Sequence, residues 1–314
     1  MLQEIQHQTE GVKFLRRFVE GRLVSPILLV GPAGVGRKFS VLKAAQEAFC
    51  QENREPDCPC SSCYQITKNI HPDILTLDAS EKDIGIDDIR RLISEAKSYP
   101  SVASVRCFVI DGADRFTGPA ANAFLKTLEE PPARSRFFLI AEDIDRVLPT
   151  IRSRCGRVQY LPLPEEFVLS VVQQYDTSAK ALVYTRMGEG SVGNALRYWG
   201  SGRLALRDQV VAVLQAALDK DLSTLFAAVD AMDKDLLLAL KFLEQIVHDI
   251  FVGRVDTTRV IHADRSDDLE KIGKRASLQT WNELTKKTRD LQSRYRITRI
   301  NLPFHFKTTL VETF

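Results

Sequence analysis

The chain lacks any unbroken apolar run of roughly 18 residues, the length a membrane-spanning helix needs, so nothing in it is expected to cross a bilayer. Charge of one sign is not in excess either. The 43 basic and 41 acidic residues leave a formal net charge of +2. Composition therefore gives no sign of a strongly basic nucleic-acid binder, and only local patches could play that part. The opening Met-Leu-Gln-Glu-Ile-Gln has no basic segment ahead of an apolar stretch, unlike a secretory leader. A cytoplasmic protein with reduced thiols is expected. Internal repeats and low-complexity segments are also missing. What is present is ordinary for a globular protein, 44% hydrophobic and 27% charged. At 314 residues, two to three domains with a sizeable core are expected.

One further deficiency is chemical. Residues 28–39 read Leu-Leu-Val-Gly-Pro-Ala-Gly-Val-Gly-Arg-Lys-Phe, a buried strand running into a Gly-rich turn. A working phosphate loop is G-x-x-x-x-G-K-[ST]. Its backbone N–H groups cradle phosphates, its Lys neutralises them and its hydroxyl holds Mg²⁺. Gly31 and Gly36 keep that spacing, with Gly34 between them. Arg37 stands in the Lys slot and Lys38 in the hydroxyl slot. Sliding the register by one places Phe39 at the hydroxyl and Pro32 at the first Gly. Neither register supplies a metal-binding hydroxyl, so the loop is that of an NTPase fold without hydrolysis. No ATP–Mg²⁺ bound for hydrolysis is expected.

Short apolar runs alternate with helical periodicity over the first half. Strands are expected at 27–30, 74–77, 105–111 and 137–141, and helices at 38–49, 86–96 and 120–128. This order predicts a doubly wound parallel sheet. After Pro162-Leu163-Pro164 the pattern changes to a small Gly-punctuated helical unit, and from Leu204 onward to long helices. Leu236–Ile250 is apolar on more than one side, as in a bundle or subunit interface. The charged stretch Asp264–Lys274 reads as a loop or exposed helix end. The expected domains are 1–161 with a cysteine insertion at 50–63, then 162–203, then 204–314.

Three constellations carry chemistry. Asp111 ends an apolar strand, where a Walker B aspartate sits, but Gly112 follows it in place of the water-polarising Glu of an active ATPase. Cys50, Cys58, Cys60 and Cys63 fall close together, and in a reducing compartment such a cluster reads as a structural zinc site. Free thiols in a loop are the alternative, because Cys58-Pro59-Cys60 is tighter than usual ligand spacing. Cys107 reads as a buried strand thiol. Ser153-Arg154-Cys155 offers an Arg that could reach a neighbour's nucleotide; a solvated charge, or a partner for a carboxylate, is the plainer alternative.

Several segments together resemble the AAA+ clamp-loader subunits of bacterial DNA polymerase III, most closely their delta-prime type. They are Gly31–Lys38, the cysteine cluster, His71-Pro72-Asp73, the run from Asn122 through Leu125-Lys126-Thr127-Leu128-Glu129-Glu130-Pro131-Pro132, and Ser153-Arg154-Cys155. Gly190–Leu196 is similar to the family's lid-helix motif, with Gly193 where hydrolysing relatives carry a nucleotide-sensing Arg. Ala141-Glu142-Asp143 lacks the polar γ-phosphate sensor, and Asn301 resembles the start of the last collar helix. The resemblance implies a RecA-like α/β AAA+ domain, a helical lid and an all-α collar. It implies an ATPase-inactive scaffold whose Arg154, beside Ser153, serves an adjacent site. The partners would be gamma/tau-type ATPase subunits, a delta subunit, the sliding clamp and primer-template DNA. The alternatives are an active gamma/tau-type motor and a zinc-containing nucleic-acid-binding module.

Overall fold

Successive side chains of a strand point to opposite faces, and the apolar runs at 27–30, 106–110 and 135–141 bury both of theirs. The computed structural model describes residues 1–79, 82–298 and 300–314, with the side chains of Asp233, Arg296 and Ile297 outside that description. Ile27–Val30 is β1, Ile74–Asp78 β2, Arg106–Asp111 β3, Ser135–Ala141 β4 and Gly156–Gln159 β5. They form a parallel sheet in the order β2-β3-β4-β1-β5. The helices of this part are α1 (Thr9–Val19), α2 (Arg37–Phe49), α3 (Ser61–Thr67), α4 (Ile86–Ala96), α5 (Gly118–Glu129) and α6 (Pro149–Arg152). Ile27, Leu29, Val109, Phe138 and Ile140 face Leu15, Phe18, Val41, Ala44 and Ile66 of α1, α2 and α3. Leu28, Val30, Phe108, Ile110, Phe137 and Leu139 face Ile89, Leu92, Phe124, Leu128 and Ile151 of α4, α5 and α6. Burying one such side chain contributes about 1.5–3 kcal/mol, so covering both faces is what fixes the parallel arrangement.

The expected strands are all present, within a residue or two at their ends. β5 is an addition. Its Gly-Arg-Val-Gln sequence has one buried side chain, Val158, as suits a strand at the sheet edge. The chain leaves β1, returns at the far edge as β2, steps inward to β4, and then crosses to β5 on the other side of β1. The carboxyl ends of β1 and β4 therefore flank a topological switch point, where open α/β sheets bind their ligands.

The chain divides into two compact units, residues 1–164 with 190–193, and residues 165–189 with 194–314. The second is helical: α7 (Glu165–Val172), α8 (Lys180–Met187), most of α9 (Val192–Gly200), α10 (Leu204–Asp219), α11 (Leu222–Ala231), α12 (Leu236–Val252), α13 (Ser266–Gly273), α14 (Leu278–Thr298) and α15 (Leu302–Thr313). In it, α12 packs against α10, α13 and α14, while α15 packs against α11 and α14. The many-sided apolar character of α12 is thereby used within the chain. Where a loop or exposed helix end was expected at Asp264–Lys274, α13 forms and buries Leu269 and Ile272. The Asn301 side chain caps α15 by accepting from Phe304 N–H at 3.1 Å. Among the described residues no helix is long and apolar enough to cross a membrane.

Candidate functional site

The Gly-rich turn leaves β1 at the switch point and hands over directly to α2, whose first residue is Arg37. Gly34 (φ +73°) and Gly36 (φ +97°) adopt the left-handed backbone that lets the loop curl. At Gly31 a Cβ would collide with the Tyr160 carbonyl, so only glycine lets β1 and the chain after β5 approach there. The loop shape is thus kept. Its first cation is turned inward and its second is paired at the surface. Arg37 is 6% exposed, donates to the Ala141 carbonyl at the end of β4, and lies 4.0 Å from Glu142. Burial pushes its guanidinium below the ordinary Arg value, against the pull of Asp111, Glu142 and Asp114. Lys38 Nζ lies 3.2 Å from Asp78 and 3.9 Å from Asp111. Burial raises the Asp111 carboxyl; Lys38 and Arg37 pull it down while Asp78 and Glu142 push it up. The structure therefore brings Gly31, Gly34, Gly36, Arg37, Lys38 and Asp111 to one place, but pairs the cations with the chain's own carboxylates.

Two glycines near the loop, Gly112 and Gly193, are closed to a side chain. Gly112 has φ +107°, and a Cβ there would run into Ala79. Gly193, in the first unit, donates its N–H to the Gly34 carbonyl at 3.0 Å. A Cβ on it would lie 2.8 Å from Gly34 Cα. Asp114 accepts from the Glu142 and Asp143 N–H groups, each at 3.1 Å, so it braces the turn after β4. Asp78 and the Ala141 carbonyl were not anticipated as partners; a strand ending in Asp beside the Asp111 strand was the available signal for Asp78.

Arg154 lies at the opposite end of the strands, the amino end. It sits just before β5, whose Gly156 pairs with Ile27 at the amino end of β1. The loop leaves the carboxyl end of the same strand. Four residues at about 3.3 Å each separate the two levels by about 13 Å. Arg154 Nε donates to Glu129 Oε1 at 2.7 Å, and Nη1 to the Thr150 carbonyl at 2.9 Å. Ser153 donates its hydroxyl to the Thr150 carbonyl at 3.1 Å. Arg154 does pair with a carboxylate, and Glu129 was not singled out as that partner from the sequence.

The four cysteines of the 50–63 segment converge. Their sulfurs lie within 4.8 Å of one another. Cys50–Cys58 is 3.6 Å and Cys50–Cys60 4.0 Å, far beyond the ~2.05 Å of a disulfide. A tetrahedral zinc with Zn–S of about 2.3 Å has sulfur–sulfur edges of about 3.8 Å, so this donor set fits that ion. Cys58, Cys60 and Cys63 are buried, with Met1 packed over the cluster. The short Cys58-Pro59-Cys60 link does not keep its two thiols apart from the others. Arg54 N–H points at Cys50 Sγ at 3.3 Å. Cys107 is buried in β3, and burial pushes its thiol well up.

Comparison with known proteins converges on one family. A family model described as DNA polymerase III, delta subunit, matches residues 7–164. That stretch holds the sheet, the loop, the cysteines and Arg154. The chain is 29% identical over 209 residues to the DNA polymerase III subunit delta' of Escherichia coli, covering 64% of this chain and 62% of that protein. It is 31% identical over 144 residues to the DNA polymerase III subunit tau of Bacillus subtilis, covering 45% and 25%. The chain thus spans less than two thirds of the length of these curated relatives. A DNA polymerase III gamma subunit-related protein of Thermotoga maritima superposes with a TM-score of 0.52 at 20% identity, over 96% of this chain and 97% of that one. At that identity the likeness speaks for the fold, a RecA-like AAA+ sheet followed by helices.

Proposed function

We propose, from the premise that this chain belongs to the DNA polymerase III delta subunit family of clamp-loader proteins, that it is a delta-prime-type subunit without ATPase activity that lends Arg154 to a neighbouring ATPase subunit. The observation that carries the proposal is the separation of loop and finger to the carboxyl and amino ends of one sheet's strands. An Arg at the amino end is out of reach of its own loop. It lies partly exposed at the surface, where the loop of an adjacent subunit could meet it, and a guanidinium there would stabilise charge on the transferring γ-phosphate. Ser153 would brace the turn that presents it.

The pairing of Arg37 and Lys38 with the chain's own carboxylates supports silence of this chain's own loop, as do the closed Gly112 and Gly193. The same features weigh against an active gamma/tau-type motor, although a tau subunit is among the relatives. The partners would be gamma/tau-type ATPase subunits, a delta subunit, the sliding clamp and primer-template DNA. The division of the helical part into a lid (162–203) and a collar (204–314) belongs to this proposal. So does zinc at Cys50, Cys58, Cys60 and Cys63, where a closed four-thiolate site would staple the segment between α2 and α3. Metal analysis of the purified chain, before and after mercurial displacement, tests the zinc: one equivalent released is expected, and none would remove it.

The functional test is ATP turnover with primed DNA and clamp. The chain is assayed alone and assembled with its partners, as wild type and as Arg154→Ala. No turnover alone, with partner turnover that falls steeply in Arg154→Ala, is expected. Turnover by the isolated chain would overthrow the silent loop. An unchanged assembly would overthrow the finger.

A further inference from the structure

A guanidinium carries five N–H donors in a rigid fork, and it grips a phosphate through two parallel N–H groups on one edge. In Arg154 both Nε and Nη2 donate to the same oxygen, Glu129 Oε1. Nη1 is 2.9 Å from the Thr150 carbonyl and 3.3 Å from Ser153 Oγ. These contacts leave one N–H of Nη2 uncommitted, so neither edge is free for a two-point grip. Thr150 and Ser153 belong to the same turn as Arg154 and hold its base. Glu129 comes from another element and takes the edge that a phosphate oxygen would take.

The location of Glu129 is informative. It is the last residue of α5, where the exposed carbonyls of the helix disfavour negative charge. Its own helix gives that carboxylate no support, and Arg154 provides it. The pair is also a surface pair, with side chains 28% and 49% exposed. Such pairs are weak and readily exchanged, unlike the buried contacts of Arg37. A carboxylate in this place is therefore a stand-in that a more highly charged triphosphate can displace.

We infer that Glu129 is a positioning residue that occupies Arg154 in place of phosphate, and that transfer of Arg154 from Glu129 to the neighbouring subunit's nucleotide gates hydrolysis there. The inference rests on the reading of Arg154 as a finger. Release of the finger then depends on a nucleotide being present across the interface, and the unassembled subunit keeps its Arg sheathed.

Two measurements test it. In the full assembly with gamma/tau-type and delta partners, Glu129→Gln keeps the shape and removes the charge. Turnover without DNA is expected to rise about five-fold, the size of one surface ion pair, with a lower KM for ATP. The kcat reached with primed DNA and clamp stays unchanged. The double variant with Arg154→Ala behaves as Arg154→Ala alone. On the isolated chain, phenylglyoxal should modify Arg154 about five-fold faster in Glu129→Gln, read by peptide mapping. If Arg154→Ala leaves turnover intact, the finger reading fails and takes the gate with it. If Arg154→Ala collapses turnover while Glu129→Gln changes neither DNA-free turnover nor labelling, the gate fails and the finger stands.

Discussion

Arg37 and Arg154 mark the two ends of one parallel sheet; each bonds a backbone carbonyl and lies against a carboxylate, and they differ in burial. Arg37 is buried at the carboxyl end, bonded to a backbone carbonyl and set among Asp111, Asp114 and Glu142. Arg154 stands at the amino end, more than a quarter exposed, against a single half-exposed carboxylate. A buried cation of this kind is part of the fold, since removing it leaves the buried Ala141 carbonyl without its donor and the half-buried Asp111 short of a counter-charge. A surface cation whose one charged partner is exchangeable costs the fold little to lose and can be handed to a ligand. The same side chain is structural at one end of the sheet and available at the other. For a nucleotide fold this amounts to moving the working group from the loop to the interface.

The sharpest way to break the comparison is to remove each Arg and read two quantities. Arg154→Ala should lower partner turnover in the assembly by about 10³-fold, the lower range for an arginine finger. It should leave the melting of the isolated chain within about 0.5 kcal/mol. Arg37→Met should invert that pattern, costing about 2–3 kcal/mol in urea unfolding of the first unit, with turnover per folded assembly retained. Equal stability losses for the two variants would mean that burial does not separate their roles.

A smaller effect probes the loop end alone. Gly112→Glu restores the residue type of an active Walker B site on paper. It forces a left-handed backbone onto a side chain that meets Ala79. A loss of about 1–3 kcal/mol is expected, with no ATP turnover gained by the isolated chain. A stable Gly112→Glu protein that hydrolyses ATP would show that the loop is one substitution away from activity.

Much of this was readable in the sequence, for identifiable reasons. The strands that became β1, β3 and β4 are short apolar runs buried on both faces, and such runs announce themselves; β2, half-buried at the sheet edge, showed through its Ile-Leu-Thr-Leu run. The edge strand β5 buries only Val158 among four residues, so its signal was lost in Gly156 and Arg157. The helix α13 was hidden by its charge, because only Leu269 and Ile272 turn inward. The cysteine cluster was legible from spacing, and only the sulfur positions show that the short Cys58-Pro59-Cys60 link still brings both thiols to the other two. The partners of the site were not legible. Glu129 lies 25 residues from Arg154, and Asp78 lies 40 from Lys38. Such pairs are made by the return of the chain across the sheet, which no local pattern records. The closure of Gly112 and Gly193 was likewise invisible, since a missing Glu or Arg does not tell whether a side chain would fit.

The smallest prediction concerns two carboxylates on neighbouring strand ends with opposite shifts. Asp73 sits just before β2 and accepts N–H groups from Ser101, Val102 and Ala103 at 2.6, 2.7 and 2.8 Å. Burial alone would raise its carboxyl, but those donors, with His71, hold it below the ordinary carboxylate range. Asp111 is raised by burial. For Asp73 the folded pKa is below the unfolded one. Its stabilisation is therefore complete above about pH 4, the ordinary carboxylate value, and is lost as pH falls through the depressed folded value. For Asp111 the sign is reversed, so its ionisation weakens the fold as pH rises through its raised value. Asp73→Asn should thus flatten the acid-side loss of melting temperature and lower stability at pH 7 by about 1–2 kcal/mol. Asp111→Asn should leave the acid limb in place. If both variants respond alike to acid, the three N–H groups on Asp73 are not what sets its titration, and the contrast between the amino and carboxyl ends of the sheet would rest on the two arginines alone.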